Sequence, residues 1–217
     1  MSTITLTAFR WVPPIVQGIV RDLRVRWALE EAGLPYQVRL IGRAEQQSEE
    51  YRQLQPFGQV PTYDEDGLTL FESGAIVMHV AEQSHDLMPT EKKARARTRV
   101  WMFAALNSVE QFVQRLTELD LFSANEEWAP LRRPAVLAAA QRRLSSLAQC
   151  LEGKEFLEER FTAADLLMTT VLRIPRHTDL VPQFPVLDAY RLRCEARPAF
   201  QKALAGHMAP FAAGAPQ

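Results

Sequence analysis

Cysteine is scarce in this chain: Cys150 and Cys194 are the only two among 217 residues. They lie far apart and form no CxxC, which excludes a dithiol redox pair or a zinc ribbon and leaves both to be read as buried free thiols. Histidine is nearly as sparse. His79, His85, His177 and His207 show no ligand spacing, so no metal site is expected. "HTD" at His177–Asp179 has no nucleophile to serve. No phosphate-binding glycine loop is present. Charge of one sign is also missing: 25 basic residues against 26 acidic ones leave a net charge of -1. That removes the electrostatic reason to bind nucleic acid or an anionic membrane. The basic runs "RDLRVR" and "KKARARTR" are read as solvated helix faces. No apolar run is long enough to cross a bilayer. The start "MSTITLTAFR" has no charged-then-apolar signal, so a cytoplasmic protein is expected.

The most local absence is in "AFRWVPPIVQGIVRDLRVRWALEEAGLP", Ala8–Pro35, which holds no Ser, Thr, Cys, Tyr or His. A catalytic site built around this stretch has no side-chain hydroxyl, thiol or imidazole to draw on.

What is present is an ordinary globular composition, 47% hydrophobic and 24% charged, in two regions of different pattern. "TITLTAF" reads as a strand from its β-branched residues. Val16, Ile19, Val20, Leu23, Trp27 and Ala28 recur near helical spacing from Ile15 to Ala32, ended by Gly33 and Pro35. Gly18 argues instead for a loop over Trp11–Ile19, so a loop and a helix extension both stand. "YQVRLI" is a strand and Ser48–Leu54 a short helix. "QVPTY" and "LTLF" form a hairpin about "DEDG", and Ser73–Glu82 is an amphipathic helix. The order is β-α-β-α-β-β-α. Beyond the linker "QSHDLMPT" only helices are expected: one capped by Thr90 and running toward Asp120, one opened by Pro134, one begun by a Thr162–Asp165 capping box with Phe161 and Leu166 at the staple positions, and one over Val186–Ala205. "GHMAPFAAGAPQ" reads as a loosely ordered tail. The domains expected are therefore 1–83, α/β; 84–89, linker; 90–205, all-helical; and 206–217, tail.

The chemistry concentrates in "QPFGQVPTYDEDGLTLFESGAIVMHVAE". A cis bond at Val60-Pro61 would turn the Val60 amide and carbonyl outward, free to pair with an extended ligand. At Glu72-Ser73-Gly74 a strand passes into a helix whose first amides carry partial positive charge. With the Ser73 hydroxyl they make a carboxylate site, and Glu72 would accept from an ammonium group. Together the two places suit an α-amino-acid head on a peptide body. Each also has a plainer reading alone: Ser73 as a helix cap, Glu72 as a first-turn acid, Pro61 as a trans edge residue.

This segment resembles the "NPFGQVP…DG…L.ESGAI" pattern of soluble, bacterial-type glutathione transferases, with Gln55 in place of the Asn. "RVRWALEEAGLPY" is similar to the family's first helix, and "FTAADLLMTTVLR" to the capping box of its helical domain. The resemblance runs from Thr3 to about Leu204. It implies a thioredoxin-like N-terminal domain with a mixed sheet, an all-α C-terminal helical bundle, a homodimer, and glutathione as co-substrate without a metal. By the same resemblance Val60 and Pro61 would hold the cysteinyl backbone, Glu72 and Ser73 the γ-glutamyl end, and Gln47, with Gln46 or Gln59, the glycine end. The family usually contacts the sulfur through a Tyr, Ser or Cys after the first strand. Here Arg21-Asp22 stands where such a pair often occurs.

The missing hydroxyl does not forbid catalysis. Lowering a thiol pKa from about 8.5 by two units requires about 2.7 kcal/mol, and a hydrogen bond to a charged group supplies roughly 1.5–3 kcal/mol. Arg10, the Trp11 indole, Arg21 or backbone amides are the candidate donors. Trp11 is also a candidate wall of the second-substrate pocket, with Phe103, Leu106, Asn107 and Glu110 on the long helix, where Met102 reads as core. The expectation is a detoxifying transferase that adds the glutathione thiolate to a hydrophobic electrophile. The alternatives are a glutathione-dependent disulfide or peroxide reductase, and a non-catalytic binding protein of the same fold.

Overall fold

A computed structural model describes residues 3–214. β1 (Ile4–Phe9) lies between β2 (Tyr36–Ile41), its parallel neighbour, and β3 (Thr62–Glu65), its antiparallel one; β4 (Leu68–Phe71) closes the edge in the order β2-β1-β3-β4. α1 (Asp22–Ala32) makes the parallel crossover and α4 (Ser73–Glu82) follows β4, the mixed sheet expected of a thioredoxin-like domain. The hairpin turns on Asp66 and Gly67, both at positive φ (50° and 86°), as a two-residue type I′ turn requires. Asp64 and Glu65 therefore belong to β3. The Ser48–Leu54 helix is α3 (Glu49–Leu54), with Ser48 accepting from the Tyr51 amide. A further short helix, α2 (Arg43–Gln47), precedes it.

The helical pattern from Ile15 breaks down in the structure. Pro14–Val16 is one 3₁₀ turn, Gly18 sits at φ +82°, and α1 begins only at Asp22. Trp11–Ile19 is thus a loop, because a left-handed glycine interrupts any helix running through it. "RDLRVR" is likewise no solvated face: Asp22, Arg24 and Arg26 are all buried.

By contacts the described residues fall into two compact units, one running to Met88 and resuming at Arg197, the other Pro89–Ala196. The second unit is helical. Glu91, one residue past the expected Thr90, caps α5 (Lys92–Phe103) by accepting from the amides of Lys93 and Ala94. A π-helical stretch, Ala104–Glu110, leads without a break into α6 (Gln111–Phe122). α7 (Ala129–Leu151) opens at Pro130 rather than Pro134, which lies inside it. Cys150, near its end, is exposed against expectation, while Cys194 is buried as expected. α8 (Ala163–Leu172) starts at the expected box. The Thr162 amide donates to Asp165 Oδ2 at 2.9 Å, the Thr162 hydroxyl accepts from the Ala164 amide, and Phe161 and Leu166 are buried. His177 is occupied structurally, 3.1 Å from Asp120 Oδ2.

The single helix expected over Val186–Ala205 is two, α9 (Pro185–Glu195) and α10 (Pro198–Met208). Arg197 before Pro198 is extended, as the proline ring demands of its predecessor. α10 belongs to the first unit. Phe200 packs edge-on to Trp27 of α1 at 4.7 Å, Arg197 forms a forked pair with Glu31 (2.6 and 2.8 Å), and Lys202 reaches Glu30. Tyr36 also donates to Glu30, and burial lifts its phenol to about 12. The expected loose tail is ordered through Gly214: His207 and Phe211 are buried, and Ala209–Ala213 forms a 3₁₀ turn. Ala215–Gln217, the rest of that tail, lie outside the described residues.

Candidate functional site

The register of β3 and β4 brings the two expected binding places together. Thr62 is paired with Phe71, so Pro61 and Glu72 leave the ladder at the same end. The Val60-Pro61 bond is cis, and Val60 lies before the first ladder pair. A small polar network seats this segment on β1. The Thr62 amide donates to Thr7 Oγ1 at 2.7 Å, the two threonine hydroxyls meet at 2.6 Å, and the Tyr51 hydroxyl donates to the Gln59 carbonyl at 2.7 Å. Burial pushes the Tyr51 phenol up, against the pull of the threonine hydrogen bonds. Val60 itself packs into a cluster with Ile41 and Tyr51, against which Phe9, Val20 and Leu54 rest. Thr7, Tyr51 and Thr62 carry no sequence signal of this role; it depends on pairs 44 and 55 positions apart.

Glu72 is the N-cap of α4 at φ +69° and makes no side-chain cap hydrogen bond. A non-glycine residue in the left-handed region costs on the order of 1–3 kcal/mol and persists where the surroundings hold it, most often at ligand sites. Ser73 is therefore the first helical residue rather than the cap, and the Ile76 amide donates to the Glu72 carbonyl to open the α4 ladder. The amides ahead of it are oriented for an anion. Arg24, 3% exposed, donates from Nη1 to Ser73 Oγ at 3.3 Å. It places a cation beside those amides, a contribution hidden in the sequence because "RDLRVR" reads as surface.

The three glutamines divide. Gln46 is half-buried and donates to the Gly58 carbonyl at 2.6 Å, holding the loop before Val60; Gln47, at the end of α2, and Gln59, adjoining Val60, are both exposed to solvent. Gln55, in the position of the family's Asn, is buried and accepts from the Phe57 amide at 2.6 Å.

The candidate donors lie in the loop between β1 and α1. Arg10 is exposed, donates to the Leu40 carbonyl and pairs with Glu45 at 3.7 Å. Trp11 is half-buried at the start of the loop, and Arg21 is the residue before α1. Gln17 ties the loop to itself by donating to the Val12 carbonyl at 2.9 Å. In the second unit Phe103, Leu106, Asn107 and Glu110 fall at and within the π-helical stretch, an irregularity that often marks functional sites. Phe103 is 56% exposed and Asn107 is exposed, but Glu110 is 6% exposed and belongs to the interior. Among the described residues no group of three or more His, Cys, Asp or Glu is placed to hold a metal ion, and no helix is long and apolar enough to cross a membrane.

Known proteins resemble this chain in sequence and fold. Residues 15–82 match the sequence model of the glutathione S-transferase N-terminal domain. The probable maleylacetoacetate isomerase 2 of Drosophila melanogaster is 30% identical over 190 residues, covering 83% of this chain and 81% of that protein. The theta class glutathione S-transferase of Xanthomonas axonopodis pv. citri, solved with glutathione bound, is 27% identical at a TM-score of 0.79, over 94% of this chain and 98% of that one. A glutathione transferase from Burkholderia graminis, with two glutathione molecules bound per subunit, is 25% identical at a TM-score of 0.81, over 94% and 88%. On its fold, its strand-to-helix site and these relatives, the chain belongs to the soluble glutathione S-transferase family.

Proposed function

We propose that the protein binds glutathione at the β3–β4 end of its first unit and transfers the thiolate to a hydrophobic electrophile. The observation that carries this reading is the Thr62–Phe71 register, which sets the cis Val60-Pro61 segment beside the start of α4. Val60 would pair with the cysteinyl backbone of the tripeptide, adjoined by Pro61. The amides of α4, Ser73 and Arg24 would receive the γ-glutamyl carboxylate, and Glu72 its ammonium. Gln47 and Gln59 are assigned to the glycine end, while Gln46 serves the loop. That crystallised relatives were solved with glutathione bound supports glutathione as the ligand.

In the reaction the sulfur lone pair forms the new bond to the electrophilic carbon, and the leaving group departs with its electron pair. The protein's task is to keep the sulfur ionised and oriented. The loop's candidate donors are Trp11, Arg21 and Arg10, the last of which also engages the Leu40 carbonyl and Glu45. Phe103, Leu106 and Asn107 offer a mixed apolar and polar surface for the electrophile.

Reduction of a disulfide or peroxide is a second reading, favoured by the absence of any protein hydroxyl or thiol from Ala8 to Pro35. Glutathione itself would then be the attacking nucleophile. We also propose a cytoplasmic homodimer. Phe57, 70% exposed and set edge-on to the exposed Phe71 at 6.2 Å, is the apolar feature of the first unit that suits burial against a second copy.

Isothermal titration with glutathione tests the binding. Saturable binding at or below millimolar ligand supports the reading, and its absence overturns it. Turnover of an aromatic halide compared with a mixed disulfide then separates transferase from reductase. Turnover of neither, despite binding, identifies a non-catalytic binder.

A further inference from the structure

The loop that carries the donors is tied down by a residue 189 positions away. His207 of α10 is 1% exposed, and its Nε2 accepts from the Gly18 amide at 3.1 Å. Its Nδ1 lies 3.0 Å from Oδ2 of Asp22, the first residue of α1. An amide N–H only donates, so Nε2 holds a lone pair and Nδ1 carries the proton that Asp22 receives. The same carboxylate oxygen accepts from Arg26 Nε at 2.8 Å, which supplies its countercharge. The ring of Phe211 packs edge-on to His207 at 5.3 Å. Every partner in this cluster belongs to the first unit.

Gly18 is where the chain turns from the 3₁₀ segment toward α1 in a left-handed conformation. Two residues later Val20 rests on the cluster that contains Val60. The loop is therefore pinned near its end on one side to the Val60 segment and on the other to α10.

We propose that His207 is a positioning residue for the thiolate site. It holds the Arg10–Arg21 loop, and hence the donors offered to sulfur, through a single tautomer selected by Asp22. The inference rests on the glutathione-transferase reading for its catalytic consequence, but the anchoring of the loop can be measured without glutathione. Removing the acceptor leaves a buried amide unpaired, which favours an opened loop.

The test compares the full-length protein with His207→Phe and His207→Gln by hydrogen exchange of peptides spanning residues 11–21. Steady-state kinetics with glutathione and an aromatic halide accompany it. Phe keeps the volume and loses both polar contacts; Gln retains one acceptor and one donor at similar separation. In His207→Phe, loop exchange should accelerate and kcat should fall by about tenfold, the scale of one lost buried hydrogen bond. The KM for glutathione should stay within about twofold, because Val60, Glu72 and Ser73 are untouched. His207→Gln should recover most of the loss. Asp22→Asn, which removes the carboxylate charge that holds the Nδ1 proton without changing α10, should also loosen the loop and covers the case in which His207→Phe fails to fold. Unchanged loop exchange in His207→Phe and Asp22→Asn overturns the proposal. So does a parallel loss of kcat and glutathione affinity that Gln does not rescue. If the unmodified protein neither binds nor turns over glutathione, the functional reading fails, and the exchange data alone decide whether His207 anchors the loop.

Discussion

Arg24, on the first helix, donates from Nη1 to the Oγ of Ser73 at the start of α4, over 3.3 Å. A buried guanidinium thus adds its charge to amides already oriented toward an anion. Charge-assisted hydrogen bonds of this kind contribute about 1.5–3 kcal/mol. Arg24→Met should therefore raise the KM for glutathione by about tenfold or more, with a smaller effect on kcat. Ser73→Ala should act in the same direction. Initial-rate kinetics at varied glutathione, with circular dichroism to verify folding, measure both.

The loop donors should separate by substitution. Trp11→Phe removes the indole N–H while keeping a ring. It should raise the thiol pKa of bound glutathione by about one unit, the equivalent of 1.4 kcal/mol. Arg10→Met should change it little, because that guanidinium is engaged with the Leu40 carbonyl and Glu45. Ultraviolet titration of the complexes distinguishes them.

Asp165 should be the most costly single polar residue of the helical unit. It is fully buried and accepts from the amides of Leu157 and Thr162 and the hydroxyls of Thr162 and Tyr190, at 2.9–3.1 Å. Burial raises its carboxyl, and these four donors act in opposition. Asp165→Ala strands two buried amides and should destabilise by about 2–6 kcal/mol, at about 1–3 for each orphaned amide. Tyr190→Phe removes one donor and should cost about 1 kcal/mol. Denaturant unfolding reads both.

Acid should weaken the helical unit through Asp120. Burial favours its neutral form, but the fork from Arg133 (2.7 and 3.0 Å) and the contact with His177 outweigh it and hold the carboxyl below its ordinary value. The folded value lies below the unfolded one of about 3.9, so this contribution is complete above that pH and is lost as pH falls through the folded value. Melting temperatures taken from pH 6 to pH 3 should fall less steeply for Asp120→Asn than for the unmodified protein.

The elements legible in the sequence are those specified by neighbours in the chain. The Asp66-Gly67 turn, the Thr162–Asp165 box and the Glu72-Ser73 transition each need only a few adjacent residues, and each stands in the structure. The loop before α1 is ambiguous in sequence because Val16 and Val20 mimic a helical stripe, while the feature that decides it is the φ of Gly18. Arg24 and Arg26 read as surface because their acceptors, Ser73 and Asp22, are revealed only by packing. The tail misleads most. Its Ala, Gly and Pro suggest looseness, yet His207 is fixed by Gly18 and Asp22, 189 and 185 positions away. The π-helical stretch has no local signature and reads as part of one long helix.

The central claim is that this fold ionises glutathione without a side-chain hydroxyl, thiol or imidazole between Ala8 and Pro35. The most direct measurement is the thiolate absorbance of the glutathione complex followed against pH. The account predicts an apparent pKa at least about one unit below the free thiol's value of about 8.5. A complex whose bound thiol titrates at the free value would contradict it.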